Sequence, residues 1–447
     1  VLNKGGRLPN NITERAVVEM WQRLMNKAEL TTVGGELVKI IYPGRKNDYR
    51  GADFRDAVIA TSQGIKRGDI EVHVKSTDWQ AHRHHQDPAY NRVILHVVLK
   101  HSGEATSNLH NGEKVPVLAI DKYIGDGAKS AHSSTPCTRT VKGLAGATLT
   151  KLLDRAGEER FSAKAIEFQA ELTQVETRQS LYQGIMGALG YAKNKPPMLK
   201  LAKSLPLATL HSMTQDKIAE QECLARLQAL LLGTAGLLPS QRQNRHREDG
   251  GWVEKLEGLW AASGNTKAMS ADEWHLFKVR PNNFPLRRIA AMSYLIRRYE
   301  ERGMVEKVVN MIKETPLHQG YLRLEKGFRV TADGYWASHF DFGLNSHNPT
   351  LLGRWRAADI AVNVLLPFTL AWSKLNSQPE VGRRAFDLYY GYPRLGINTI
   401  ERHMINQLGL NSHLVNSAQR QQGLIHIYNT LCRQGKCNDC PLNHTQS

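Results

Sequence analysis

Cysteine is scarce: five in 447 residues, at positions 137, 223, 432, 437 and 440. So few thiols in so long a chain do not make a disulfide scaffold of the secreted kind. Long apolar runs are also missing. The stretch LARLQALLLGTAGLL (224–238) is too short to cross a bilayer and is interrupted by Arg226 and Gln228. No GxxxxGK[ST] loop and no GxGxxG occurs, so ATP-driven or dinucleotide chemistry has no support. There is no fixed-period repeat, no long low-complexity tract and no Ser–His–Asp order. The opening residues, VLNKGGRLPNN, lack the apolar segment of a signal peptide, and a cytoplasmic location is expected.

Acidic residues are in deficit. Asp and Glu number 42 against 59 Lys and Arg, giving a net charge of +17 and a pI near 9.6. Clustered Lys and Arg displace counterions from phosphate backbones, so the balance favours nucleic acid or another polyanion as partner. With 41% hydrophobic and 23% charged residues a core is available, and the length suggests two or three domains.

Periodicity divides the chain. NITERAVVEMWQRLMNK (11–27) reads as an amphipathic helix, capped by Asn11 or Thr13, with Val17, Met20, Trp21 and Leu24 on one stripe. Strand-like runs follow at 35–44, 52–61, 65–76, 92–101 and 115–123. From about residue 145 helical period dominates, in 159–191, 215–233, 285–303, 358–375 and 417–435. An α/β domain with a mixed sheet (1–130) and a large, mostly α-helical domain (131–447) are expected.

The stretch GDIEVHVK carries the chemistry. Side chains alternate along a strand, so Glu71, His73 and Lys75 share one face and Val72 and Val74 the other. Asp53 opens the preceding strand, and a hairpin would set it beside Glu71. Two carboxylates and a lysine are the parts of a metal-dependent phosphodiesterase. The face of an exposed edge strand has the same pattern.

The order helix, strand, Asp-strand, acid-and-Lys strand, connection, strand resembles the PD-(D/E)xK nuclease superfamily. That resemblance implies a restriction-endonuclease-like core that binds Mg2+ or Mn2+ and cuts nucleic acid, DNA favoured. Asp53 and Glu71 would hold the ion, Lys75 would be the lysine, and Glu19 would be the helical acid. The chain departs from the motif: Ala52 stands where the family has Pro, and Lys75 is four residues after Glu71. His73 then takes either the lysine position or a ligand position. A second resemblance spans nearly the whole chain. GADF, GDIEVHVKSTDWQAHRHHQDPAYNRVILHVV, LYQGIMGALGYAKN, RPNNFPLRRIAA, ADIAVNVLLPF and CRQGKCNDC are similar to a bacterial family known only as a domain of unknown function. It implies no activity. The rival expectation is a nuclease-like module that binds nucleic acid without turnover.

The connection after the strand holds His82, His84, His85, Asp87 and Tyr90. A polar loop around a Trp79 core plug, phosphate contact by His82, His84 and Tyr90, and a separate metal site all fit. His96, within an apolar strand, reads as a satisfied core histidine. Cys432-x4-Cys437-x2-Cys440-Pro suits zinc or an iron–sulfur cluster, with Cys137 or His444 as a fourth ligand, and Cys223 reads as a buried structural thiol. Some RecB-like and CRISPR-associated nucleases are similar in stapling their nuclease domain with one distant and three C-terminal cysteines around a 4Fe–4S cluster. The Arg-rich segments 240–249, 280–291 and 295–303, including Arg287, Arg288, Arg297 and Arg298, line a nucleic-acid path or form a solvated, ion-paired face.

Overall fold

A computed structural model describes residues 12–24, 29–47, 50–123, 137, 141, 143–212, 219–242, 250–264, 267–300, 303–314 and 316–443. Asn11, His444 and most of the 240–249 segment lie outside them. The chain forms two units. The first comprises 1–157, 397–416 and 420–447, the second 158–396 and 417–419. This differs from the expected boundary at 130, because the C-terminal residues pack with the sheet.

The first unit begins with α1 (Glu14–Arg23), which follows Thr13 as N-cap. Eight strands follow: β1 (Leu30–Thr31), β2 (Leu37–Tyr42), β3 (Arg45–Lys46), β4 (Phe54–Thr61), β5 (Gly64–Lys75), β6 (Val93–Lys100), β7 (Thr106–Asn108) and β8 (Lys114–Ala119). They form a mixed sheet in the order β1-β2-β4-β5-β6-β8-β7, with β3 paired to β4. β4 and β5 are an antiparallel hairpin closed at Thr61 and Gly64. β5, β6 and β8 run parallel, so crossovers join them. The β5–β6 crossover carries a short helix α2 (Asp78–Ala81) and two single turns, His84–Gln86 and Pro88–Tyr90.

The sheet is buried on both faces. Ile70, Val72, Leu95, Val97 and Leu99 face Val17, Val18 and Trp21 of α1. The alternate positions of β5 and β6 place Glu71, His73 and His96 on the opposite face, beside an apolar cluster of Ala52, Trp79, Tyr90 and Val93. The polar face of β5 is therefore no solvated edge: Glu71 keeps 6% of its surface and His73 1%.

A third cluster joins Tyr42 and Val58 of the sheet to Leu408, Tyr428, Cys432 and Cys440. Tyr428 donates its hydroxyl to Asp56 at 2.8 Å, and Arg67 donates to the Gln434 carbonyl at 3.3 Å. Gly435 has φ +68°, and a Cβ there would meet Val58 Cγ1 at 2.8 Å. Both facts require glycine. Gly435→Ala is expected to lower the melting temperature of the first unit, measurable by circular dichroism. An unchanged melting temperature would contradict this packing.

The second unit is mainly helical. The expected helix 159–191 is two, Gly146–Leu172 and Thr177–Leu189, and 358–375 contains a π-turn over Ala361–Leu365 just before Pro367. Proline has no N–H to continue the ladder there. The 22-residue stretch Glu220–Gln241 is long and apolar enough to cross a membrane, and 83% of its most apolar window is buried. Cys223 lies in that core, as expected. Arg287 and Arg288 line no open path. They are buried at 0% and 4% exposure. Arg287 donates to the carbonyls of Trp336 and Thr350 at 3.0 and 3.2 Å, and Arg288 donates to the carbonyl of Leu351. Arg297 pairs with Glu300, and Arg298 donates to the carbonyls of Gly327 and Arg329. Arg287 and Arg288 hold the fold, because a buried guanidinium must satisfy its donors locally, whereas Arg297 is half-buried and ion-paired and Arg298 is exposed.

Candidate metal centre

β4 and β5 bring two carboxylates together. The Asp53 backbone N–H donates to Glu71 Oε2 at 3.0 Å, and the Val72 N–H donates to Asp53 Oδ2 at 3.1 Å. A β-bulge builds this arrangement. Between the pairs Phe54↔Ile70 and Ala57↔Gly68, β4 has one residue more than β5. Asp56 in the bulge has φ +60°. Buried Asp69 fixes the bulge by accepting from Arg55 at 2.5 Å and from the Asp56 N–H at 3.2 Å. Bulges of this kind re-aim side chains beside sites.

Both carboxyls hold their protons far above the usual range. Burial, then the neighbouring Glu71 charge, pushes Asp53 up to about 7. Burial pushes Glu71 up to about 8, with the Glu14 charge adding to it. Two buried acids side by side resist ionisation unless a cation joins them.

Four imidazoles adjoin the pair. His84 Nε2 lies 3.2 Å and His73 Nε2 3.5 Å from Glu71 Oε1. His73 Nε2 is also 3.2 Å from His82 Nδ1 and 3.3 Å from His84 Nε2. On its other side, His73 Nδ1 lies 2.9 Å from His96 Nε2, and His96 Nδ1 lies 2.8 Å from Ser107 Oγ. Burial, followed by His96, His84 and His82, lowers His73 to about 2. Burial likewise lowers His96 to about 3. At neutral pH His73 therefore offers a lone pair and no charge. A neutral imidazole suits a ligand position better than the position of a lysine cation.

Trp79 and Tyr90 wall the group. Tyr90 stacks on His84 with centroids 3.9 Å apart, and Trp79 Nε1 donates to the Asn108 carbonyl at 2.9 Å. His82 is exposed, whereas His73 and His84 are buried, so the group opens to solvent at His82. His85 is half-buried, and Asp87 caps the Pro88–Tyr90 turn and pairs with Arg50 at 2.8 Å.

Two sequence expectations sit elsewhere. Lys75 is exposed at the end of β5, where its N–H donates to Asp78 Oδ2. Four residues of strand put it about 13 Å from Glu71 along the backbone. Glu19 is half-exposed and pairs with Arg15 at 3.6 Å. The helical acid whose charge reaches Asp53, Glu71 and His84 is Glu14, in the first turn of α1. The lysine whose charge lowers Asp53 is Lys46 of β3, paired opposite Phe54. Lys46 has no motif to mark it in the sequence, because β3 has two residues.

The cysteines gather in the same unit. Gln407 Nε2 lies 3.8 Å from Cys137 Sγ and 3.9 Å from Cys432 Sγ. Burial, then Cys440, Cys137 and Cys437, raises Cys432 well above the thiol range. Burial raises Cys440 to about 11, with Cys137 and Cys437 adding to it. The charges of Cys440, Cys137 and Cys437 all reach Cys432, and none of these described cysteines is in a disulfide.

The fold and the site define a class: a mixed-sheet α/β unit in which adjoining strands present a buried carboxylate pair ringed by imidazoles. Within that class, this chain belongs to the family described as Protein of unknown function (DUF2851), whose model matches residues 14–394. That span begins at Glu14, includes every carboxylate and imidazole of the site, and ends before the C-terminal cysteines. No curated protein and no solved structure matches the chain.

Proposed function

We propose that the protein is a metal-dependent nuclease with a restriction-endonuclease-like core, hydrolysing phosphodiester bonds in DNA or RNA, DNA favoured. One observation carries the reading: Asp53 and Glu71 meet across β4 and β5, each accepting an N–H from the other's strand. The element order, the parallel β5–β6 crossover and the net charge of +17 support it.

Asp53 and Glu71 are suited to a divalent ion such as Mg2+ or Mn2+: their raised pKa values are those of acids that lack a counter-cation. When bound, the ion would supply Lewis acidity and a more acidic water. The chain's own residues do the rest. Asp53 and Glu71 would hold the ion, His73 would add a donor, and Lys46 would offer positive charge to the phosphate. Exposed His82 lies where a phosphate strand would arrive, with His84 and Tyr90 behind it as the wall that excludes water. In the hydrolysis the water oxygen bonds to phosphorus, one ester oxygen leaves with the bonding pair and takes a proton from solvent, and the water's proton passes to solvent. The four cysteines would hold a structural 4Fe–4S cluster or zinc, away from the reaction.

Scission of labelled single- and double-stranded DNA and RNA, with Mn2+, Mg2+ or EDTA, tests the reading. Lys46→Ala is expected to cost about 10–100-fold, as for loss of an electrostatic contact to the transition state, and Lys75→Ala less than about tenfold. The opposite ranking would restore Lys75 to the site. A module that binds without turnover has one observation in its favour, the imidazole at the lysine position of the motif. Salt-sensitive binding with no scission in any metal would establish it.

A further inference from the structure

His73 Nε2 carries at most one proton, yet three atoms with lone pairs crowd it. His82 Nδ1 is at 3.2 Å, His84 Nε2 at 3.3 Å and Glu71 Oε1 at 3.5 Å. His84 Nε2 and Glu71 Oε1 are themselves 3.2 Å apart. Imidazole tautomers can pair some of these atoms through N–H bonds, but no single arrangement of protons bonds all of them to His73 Nε2. A cation satisfies all of them at once. Ligand atoms about 2.0–2.1 Å from a metal lie about 2.8–3.4 Å from their neighbours in octahedral or tetrahedral arrangement. The observed separations fall in or beside that range.

We infer that the ring nitrogens of His73, His82 and His84, which lie within 4.8 Å of one another, form a binding site for a divalent transition metal, with Glu71 Oε1 beside His73 and His84, distinct in donor chemistry from a carboxylate Mg2+ site. Imidazole donors favour ions of the Mn2+-to-Zn2+ series over Mg2+. The site opens at exposed His82, which leaves room for a water or a phosphate oxygen. Behind it, the His96–Ser107 chain sets the ligand tautomer. With a lone pair at His73 Nε2, the His73 Nδ1–H donates to His96 Nε2 and the His96 Nδ1–H donates to Ser107 Oγ. His96 and Ser107 are thus positioning residues. The site shares Glu71 with the proposed catalytic pair. It rests on the nuclease reading only for what the ion would do there, not for its binding.

Mn2+ binding followed by EPR tests this on the full chain, because thiolates hold Mn2+ poorly and only imidazole gives ring-nitrogen couplings. The wild type is expected to bind Mn2+ with nitrogen couplings in the pulsed spectrum. His82→Ala, at an exposed position, should weaken binding at least tenfold and reduce the couplings. Ser107→Ala should weaken it about 10–100-fold, as for loss of a partner that orients a ligand. Asp53→Asn should keep the nitrogen couplings. Absence of those couplings in the wild type, or His82→Ala binding equal to wild type, would overturn the site. Nitrogen-ligated Mn2+ without scission would leave the site standing and remove the nuclease. Scission supported by an ion without nitrogen couplings would do the reverse.

Discussion

Asp53→Asn is expected to abolish the proposed metal-stimulated scission, by about a thousandfold or more, and at the same time to stabilise the EDTA-treated protein at pH 8. The two effects have one cause. Asp53 is held up to about 7 and Glu71 to about 8, against about 4 in an unfolded chain. Between those values the folded state binds more protons than the unfolded state, so stability falls as pH rises. The buried histidines act oppositely. His73, lowered to about 2, and His96, lowered to about 3, take up protons on unfolding below about pH 6.5 and destabilise the fold as pH falls. Across pH 6.5 to 8 the opposing histidine term fades and the acids come to dominate, each contributing a slope of at most about 1.4 kcal/mol per pH unit. Thermal melts in EDTA should therefore fall across that window, and Asp53→Asn should flatten the fall. A divalent ion should restore stability at pH 8 in the wild type. A melt independent of pH from 6.5 to 8 would mean that the two acids are not coupled as described.

Replacing Cys432, Cys437 or Cys440 by serine is expected to strip the proposed metal from the first unit and to lower its melting temperature, the second large effect. The sulfurs sit where the C-terminal turns meet Tyr42 and Val58 of the sheet. Cys432 has burial and three neighbouring thiols opposing its ionisation. A thiolate there needs a metal, and the binding free energy of a structural site is folding free energy. Metal analysis after anaerobic purification should find iron with sulfide, or zinc, in the wild type and a loss in each of the three variants. Cys223→Ser, in the core of the second unit, should leave the metal content unchanged. A wild type with neither metal would remove the staple.

The sheet strands were legible because β4, β5 and β6 combine apolar alternation with turn punctuation. Asp53 and Glu71 were legible too, since a tight hairpin sets them opposite. The bulge at Asp56 was not, because an extra residue in one strand leaves no periodic trace. Nor could spacing foretell that the crossover folds His82 and His84 back onto His73, since single turns follow local hydrogen bonds rather than a period. Glu14 and Glu19 lie on one helix, and only its placement on the sheet chooses between them. Arg287 and Arg288 misled for a plain reason: an arginine pair before an apolar helix looks the same in sequence whether its guanidiniums meet phosphate or backbone carbonyls. The grouping of the C-terminal cysteines was legible from their spacing. Their membership of the sheet unit depended on long-range packing of Tyr428 and Cys432 against β4 and β2.

The central claim is that the buried Glu71 face is a catalytic metal site. The most direct measurement is Mn2+-dependent scission of labelled single- and double-stranded DNA by the wild type and by Glu71→Gln, with folding checked by circular dichroism. Scission in the wild type that EDTA stops, and that folded Glu71→Gln lacks, is the predicted result. Equal scission by the two proteins would contradict the site, and no scission by either would contradict the nuclease.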